Sequence, residues 1–212
     1  MNTEKILAEH FQKTTLITSE NIMLYTFPKI WNQIFYADDF ETKKNMVINI
    51  WNSCFEIELR RTISFISQNL ISIEFVENNF GVSMVYIMKE DDRIVCMESY
   101  LPITNLNDTI LNHLPQKVLF FYSIFNGWTM PETQFMGLLP LESIKPFFEE
   151  HDDDYPKFKD FIVIFKNGGG GYLCFDKKNI NNAIVWWSDD VPMVNINLWD
   201  FLDEWILMGL TE

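Results

Sequence analysis

Two short runs of strand-forming residues, FIVIF (Phe161–Phe165) and YLCFD (Tyr172–Asp176), are separated only by Lys166-Asn167-Gly168-Gly169-Gly170-Gly171. Parallel strands need a crossover of a dozen or more residues, whereas antiparallel neighbours can be joined by a short glycine-rich turn. The spacing therefore predicts a β-hairpin over 161–176, and Ala183–Trp187 reads as a further strand of the same sheet. Three earlier runs, Ile71–Val76, Val82–Met88 and Arg93–Ser99, are rich in β-branched and aromatic residues. The turn-like Asn78-Asn79-Phe80-Gly81 and Glu90-Asp91-Asp92 separate them, which is the pattern of a meander. Their polar–apolar alternation is imperfect, as expected of strands covered on both faces.

Helical patterning occupies the remainder. The chain up to about Ser67 reads mainly as helix, with Met46, Ile50, Cys54, Ile57, Ile63 and Ile66 near helical spacing between Glu41 and Ser67. Asp38 and Asp39 stand where a helix N-cap and first turn favour negative charge. Pro115 opens a helix through QKVLFFYSIF that Asn126-Gly127 should stop. Leu198, Trp199, Phe201, Leu202, Trp205, Ile206 and Leu207 form the apolar side of a last helix, with Asp200, Asp203 and Glu204 opposite. The expected class is α+β, a mostly antiparallel sheet flanked by helices. Leu101–Leu114 is a loop or short helix, and the one plausible seam lies at 100–114. A single domain over 1–212 is expected.

Charge narrows the function classes. Thirty acids against 16 bases give a formal net charge of −14, which repels phosphate backbones and anionic lipid in the absence of a basic patch. Neither nucleic-acid nor membrane binding is expected. No charge-free apolar run reaches the roughly 18 residues of a membrane span, and MNTEKILAEHFQKTT lacks the apolar core of an export signal. Cys54, Cys96 and Cys174 are widely spaced among apolar neighbours and read as buried thiols in a reducing, cytoplasmic setting.

Leu114-Pro115, Phe121-Tyr122, Asn126-Gly127 and the apolar Gly137-Leu138-Leu139-Pro140-Leu141 precede the glycine hairpin, the strand into Trp186-Trp187 and the amphipathic helix over 198–210. This ordered set resembles the SUKH superfamily, which contains the yeast cell-wall assembly regulator and many bacterial immunity proteins. The resemblance covers 112–210. It leaves 1–111 as an N-terminal helical and β-meander elaboration, and Trp128 stands where the family has a second small residue. It implies an α+β fold and, in bacteria, neutralisation of a toxin by binding.

Motifs for other chemistry fail on context. The run Gly168–Gly171 is followed by a strand pattern rather than by Lys-Ser/Thr opening a helix, so it is not a phosphate loop. His10, His113 and His151 are isolated, and no cysteine pair lies near them. Asp152-Asp153-Asp154 lacks the alternating spacing and fixed glycine of a calcium loop. Ser123, Ser143, Ser188 and Cys174 have no nucleophile-elbow context. No catalytic residue, cofactor or metal is expected.

Two functions remain: an immunity protein for a cognate toxin, for which a basic nuclease would suit the acidic charge, and a non-catalytic intracellular scaffold or regulatory interaction module. Residues 176–212 carry seven acids and two bases, yet also Trp186, Trp187, Trp199 and Trp205. The expected interface joins Glu149, Glu150, Asp152, Asp153, Asp154, Asp189 and Asp190 to Trp128 or Trp187 as an apolar anchor. Trp128 is expected in a surface connection after a helix. Trp187 is expected to face away from Trp186, since adjacent strand residues point to opposite faces. The same residues also fit a solvated acidic run and two core tryptophans, and the oligomeric state has no sequence signal.

Overall fold

The computed structural model describes residues 2–103, 113–131, 133, 135–147, 155–187 and 190–211. Its strands form two five-stranded sheets in which every pairing is antiparallel. The first contains β1 (Thr14–Leu16), β2 (Leu70–Asn78), β3 (Gly81–Glu90), β4 (Arg93–Tyr100) and β5 (Asn126–Thr129), in that order. The second contains β6 (Lys145–Pro146), β7 (Phe161–Lys166), β8 (Gly171–Asp176), β9 (Asn179–Trp187) and β10 (Met193–Ile196), running from β10 at one edge to β6 at the other. The meander is β2–β4 and the glycine hairpin is β7–β8, with Phe161 opposite Asp176 and Lys166 opposite Tyr172. Chains of this kind are α+β, as expected.

Among the described residues the α-helices include α1 (Thr3–His10), α2 (Lys29–Phe35), α3 (Phe40–Phe55), α4 (Arg60–Asn69), α5 (Gln116–Tyr122) and α6 (Leu198–Thr211). The N-terminal part is less uniformly helical than its pattern suggested, because β1 interrupts it and Glu41–Ser67 divides between α3 and α4. Asp39 is the N-cap of α3, its carboxylate accepting the Thr42 N–H at 2.8 Å. That bond holds its carboxyl below the usual range.

The run VSMVYIM is apolar throughout because β3 is covered on both faces. Met84, Tyr86 and Met88 join the main core with α2–α5, while Val85 and Ile87 join a second cluster with Ile6 and Leu7 of α1 and the adjacent Phe11. Period-two geometry sends alternate side chains into the two cores. The main cluster extends from Ile17 to Leu210 and takes in both sheets. Burying each large aliphatic or aromatic side chain there contributes roughly 1.5–3 kcal/mol.

Among the described residues, side-chain hydrogen bonds fasten helix α6 to the N-terminal half near its middle and near its end. Helix α4 has no side-chain cap of its own, since Leu59 occupies its N-cap position. Asp203 of α6 supplies one from across the core, accepting from the Thr62 N–H at 2.9 Å and hydroxyl at 2.7 Å, and from the Arg61 N–H at 3.1 Å. Farther along, the Arg93 guanidinium donates to the Leu210 carbonyl, where the dipole of α6 is negative.

Asn126-Gly127 does something other than stop a helix. Helix α5 ends at Tyr122, and Ser123–Phe125 make the turn, with the Phe125 N–H bonded to the Phe121 carbonyl at 2.8 Å. Residues 126–129 are thereby freed to pair with β4. The Asn126 side chain accepts the Leu141 N–H and donates to Glu142, each at 2.8 Å, and the Tyr122 hydroxyl donates to the Leu139 carbonyl at 2.6 Å. Segment 136–139 is stitched on both sides. The Trp128 N–H meets the Leu138 carbonyl at 2.7 Å, and the Met136 N–H meets the Lys166 carbonyl at 2.8 Å. It links the first sheet to the second, and a Cβ on Gly137 would lie 1.8 Å from the Trp128 carbonyl oxygen.

Candidate functional site

The expected anchors occupy opposite environments. Trp128, predicted at the surface, is 0% exposed. As a residue of β5 it packs edge-on to Trp51 at 4.9 Å and Tyr86 at 5.9 Å between ring centroids, so it is core and offers a partner nothing. The cause is the early end of α5, which turns the expected connection into a buried strand.

Trp186 and Trp187 lie at the end of β9 and divide as strand geometry requires. Trp186 is buried against Phe147 and Tyr172, whereas Trp187 is 41% exposed. Trp187 stands opposite Gly171, which has no side chain to cover it, and its inner edge rests on Trp205 of α6 at 5.6 Å. The chain then reverses, with the Asp190 N–H bonded to the Trp187 carbonyl at 3.0 Å. Asp190 is exposed, and its carboxylate accepts the Val191 N–H at 2.7 Å. Of the other acidic residues expected at the interface, Glu149, Glu150, Asp152, Asp153, Asp154 and Asp189 lie outside the described residues. The structure places Trp187 and Asp190 together at one rim and leaves Trp128 in the interior.

Beyond Asp190 is an apolar surface missing from the expected interface. Val191 is 71% exposed, Met193 54% and Val194 45%, and Met193 and Val194 belong to β10. Val185 of β9 is the cross-strand partner of Met193, which puts Met193 on the face that α6 covers farther in. The legible signal was VPMVNI, a charge-free apolar run between an acidic turn and an acidic helix. From Asn179 to the end, the chain has six acidic residues and no Lys, Arg or His. In the second sheet, the Lys166 ammonium lies 5.6 Å from the Tyr172 ring centre. An apolar, anionic rim of this kind can offer contact area and negative charge to a basic surface.

Cavities also lie elsewhere in the fold. One of about 260 Å³ is lined by His10, Arg93, Cys96, Met130 and Gly209 among others. There Arg93 is engaged by Glu90 and the Leu210 carbonyl, and burial holds His10 toward its neutral form. Burial pushes the thiols of Cys54 and Cys96 up to about 12, which opposes thiolate chemistry. Among the described residues no group of three or more His, Cys, Asp or Glu is placed to hold a metal ion, and no helix is long and apolar enough to cross a membrane.

A family model described as SMI1/KNR4 family (SUKH-1) matches residues 103–208. No curated protein and no solved structure matches the chain. The match begins after the meander and takes in the Asn126 bracket, the second sheet, Trp187 and most of α6. The Asn126 bracket and segment 136–139 among these motifs join the two sheets, while the exposed rim combines Trp187 from one motif with residues 190–194, which precede the last helix.

Proposed function

Since the chain belongs to the SMI1/KNR4 family (SUKH-1), we propose that it is an immunity protein that neutralises a cognate toxin by binding it. The observation carrying this reading is a solvent-facing Trp187, beside Val191 and Met193, in a stretch whose only charges are negative. Aromatic anchors ringed by polar groups dominate protein interfaces. Anionic surroundings speed the approach of a basic partner and reject an acidic one. A nuclease suits the role because it must be basic where it grips phosphate. The protein acts from the bacterial cytoplasm by occupying its partner, with no chemistry of its own.

The test is survival of cells expressing the toxin encoded beside this gene, with and without the protein. Full protection by the wild type is expected. Trp187→Ala should weaken binding by about 2 kcal/mol, mainly through faster dissociation, while leaving the fold intact. Trp128→Phe is the contrasting control: it should lower stability and leave the dissociation rate of the folded fraction unchanged. No protection by the wild type would remove the reading, and protection unaffected by Trp187→Ala would move the site elsewhere.

A further inference from the structure

The two sheets have four ends, and these differ in what they offer a partner's backbone. At β5 the place is taken, because the Trp128 N–H already bonds the Leu138 carbonyl. Strand β6 is two residues long and ends in Pro146, which has no N–H to give. Strand β1 spans Thr14–Leu16, beside a cleft lined by Glu4, Gln12 and Lys13 among others, with charges of both signs. Strand β10, at four residues as long as β5 and longer than β1 or β6, has no described strand paired with its outer edge. In an antiparallel strand successive residues turn their N–H and C=O groups to opposite sides, so β10 presents backbone donors and acceptors outward while bonded to β9.

Exposed sheet edges are ordinarily blunted by lysine, by inward-pointing charge, by proline or by a bulge. Here Pro192 precedes the strand and a register shift occurs between Val194 and Ile196, around Asn195 with φ of +60°. Both devices confine pairing to a short stretch without filling it. No charge guards the stretch itself, and its side chains Met193 and Val194 are exposed on either face. The flanks are anionic, with Asp190 before it and Asp200 after it.

We propose that the edge of β10 receives an extended, basic segment of the toxin as an added antiparallel or parallel strand, enlarging the second sheet to six strands. This rests on the immunity reading and specifies how its partner is held. Backbone hydrogen bonds along Met193–Val194 supply register, alternate apolar side chains of the segment lie against Met193 and Val194, and its Lys or Arg residues meet Asp190 and Asp200. Trp187 closes the Met193 side of the seat.

The test uses a synthetic (Lys-Val)₄ amide with the full-length protein and follows backbone amide shifts and hydrogen exchange. Shifts should concentrate at 190–196, and amides of β10 should exchange at least tenfold more slowly when the peptide is bound. N-methylation of alternate peptide nitrogens should abolish binding, since it removes the donors without removing charge. The (Glu-Val)₄ amide should bind at least tenfold more weakly, and Val194→Lys should block the seat while the protein stays folded by circular dichroism. Absence of binding at 1 mM (Lys-Val)₄, or binding indifferent to N-methylation, overturns strand addition. Dimerisation of the free protein that Val194→Lys abolishes also overturns it, by assigning the edge to a second copy. Survival assays report separately: protection that persists without peptide binding leaves the immunity reading in place, and peptide binding without protection removes that reading alone.

Discussion

Removing the Asp203 carboxylate should show how strongly the helix over 198–211 is tied to the N-terminal half. The side chain is only 8% exposed, and it serves the first turn of a helix that has no cap of its own. Truncation to Ala leaves the Arg61 and Thr62 N–H groups without their acceptor, which for a lost N-cap costs about 1–2 kcal/mol. The buried Thr62 hydroxyl also loses its partner, adding about 1 kcal/mol. The Arg61 guanidinium, 3.2 Å away but with its side chain 46% exposed, adds no more than about 0.5 kcal/mol after solvent screening. The expected cost of Asp203→Ala is therefore about 3 kcal/mol, or about 6–12 °C in Tm for a chain of this size. Asp203→Asn keeps an acceptor for Thr62 and should cost about 1 kcal/mol. Urea denaturation followed by tryptophan fluorescence and far-UV circular dichroism gives both values, and a double-mutant cycle with Thr62→Val isolates the shared term. The two probes should report one coincident transition if, as we propose, the halves unfold as a single unit. A cost for Asp203→Ala below about 0.5 kcal/mol, or unchanged amide exchange at Arg61 and Thr62, would refute the assignment of Asp203 as the cap.

Gly137→Ala should fail more severely than any nearby surface change, because its new Cβ would lie 1.8 Å from the Trp128 carbonyl oxygen in the seam between the sheets. A loss of about 3 kcal/mol or more is expected by chemical denaturation; a stability within 0.5 kcal/mol of wild type would show that the seam is looser than its hydrogen bonds indicate. Asp160 is held by the Lys177 and Lys178 ammonium groups at 2.7 and 2.6 Å, which bring its carboxyl down to about 2. Its folded value is depressed, so its contribution is present above the unfolded carboxylate range near 4 and is lost as pH falls toward 2. Carboxyl ¹³C titration should give a midpoint near 2 that rises in Lys177→Ala; a wild-type midpoint near 4 would contradict the pairing.

The hairpin, the meander and the last helix were readable because each is specified locally: by a glycine turn, by turn-separated β-branched runs, and by an apolar stripe. The strands that escaped notice were the short ones. Strands β1, β6 and β10 have two to four residues each, and periodicity has too few repeats to register in so short a span. Asn126-Gly127 misled for a different reason. Its turn chemistry was real, since Gly127 has φ of +78°, but it bends a strand around the Pro140 backbone instead of ending a helix. Trp128 followed it into the wrong environment. Alternation requires Trp186 and Trp187 to face opposite ways, and the polar Ser188-Asp189-Asp190 turn points to Trp187 as the exposed one, as it is, whereas Val191, Met193 and Val194 carry no such signal because apolar residues outside a periodic pattern read equally well as core. The cap from Asp203 to α4 could not be read at all, as 141 residues separate it from Thr62.

That separation has a consequence for how the chain is made. The meander can pair as soon as it leaves the ribosome, since β2, β3 and β4 are consecutive and joined by short turns. The first turn of α4 cannot be completed until Asp203 has been synthesised, about 7–30 s later at typical rates of 5–20 residues per second. Throughout that interval the Leu59–Thr62 corner is an open end, with its amide protons exchanging and its backbone accessible to proteases. Contacts of such long range also slow folding, because the loop must close before they contribute anything. Completion of the fold therefore lags behind synthesis of most of its core, and the delay is set by the arrival of one helix.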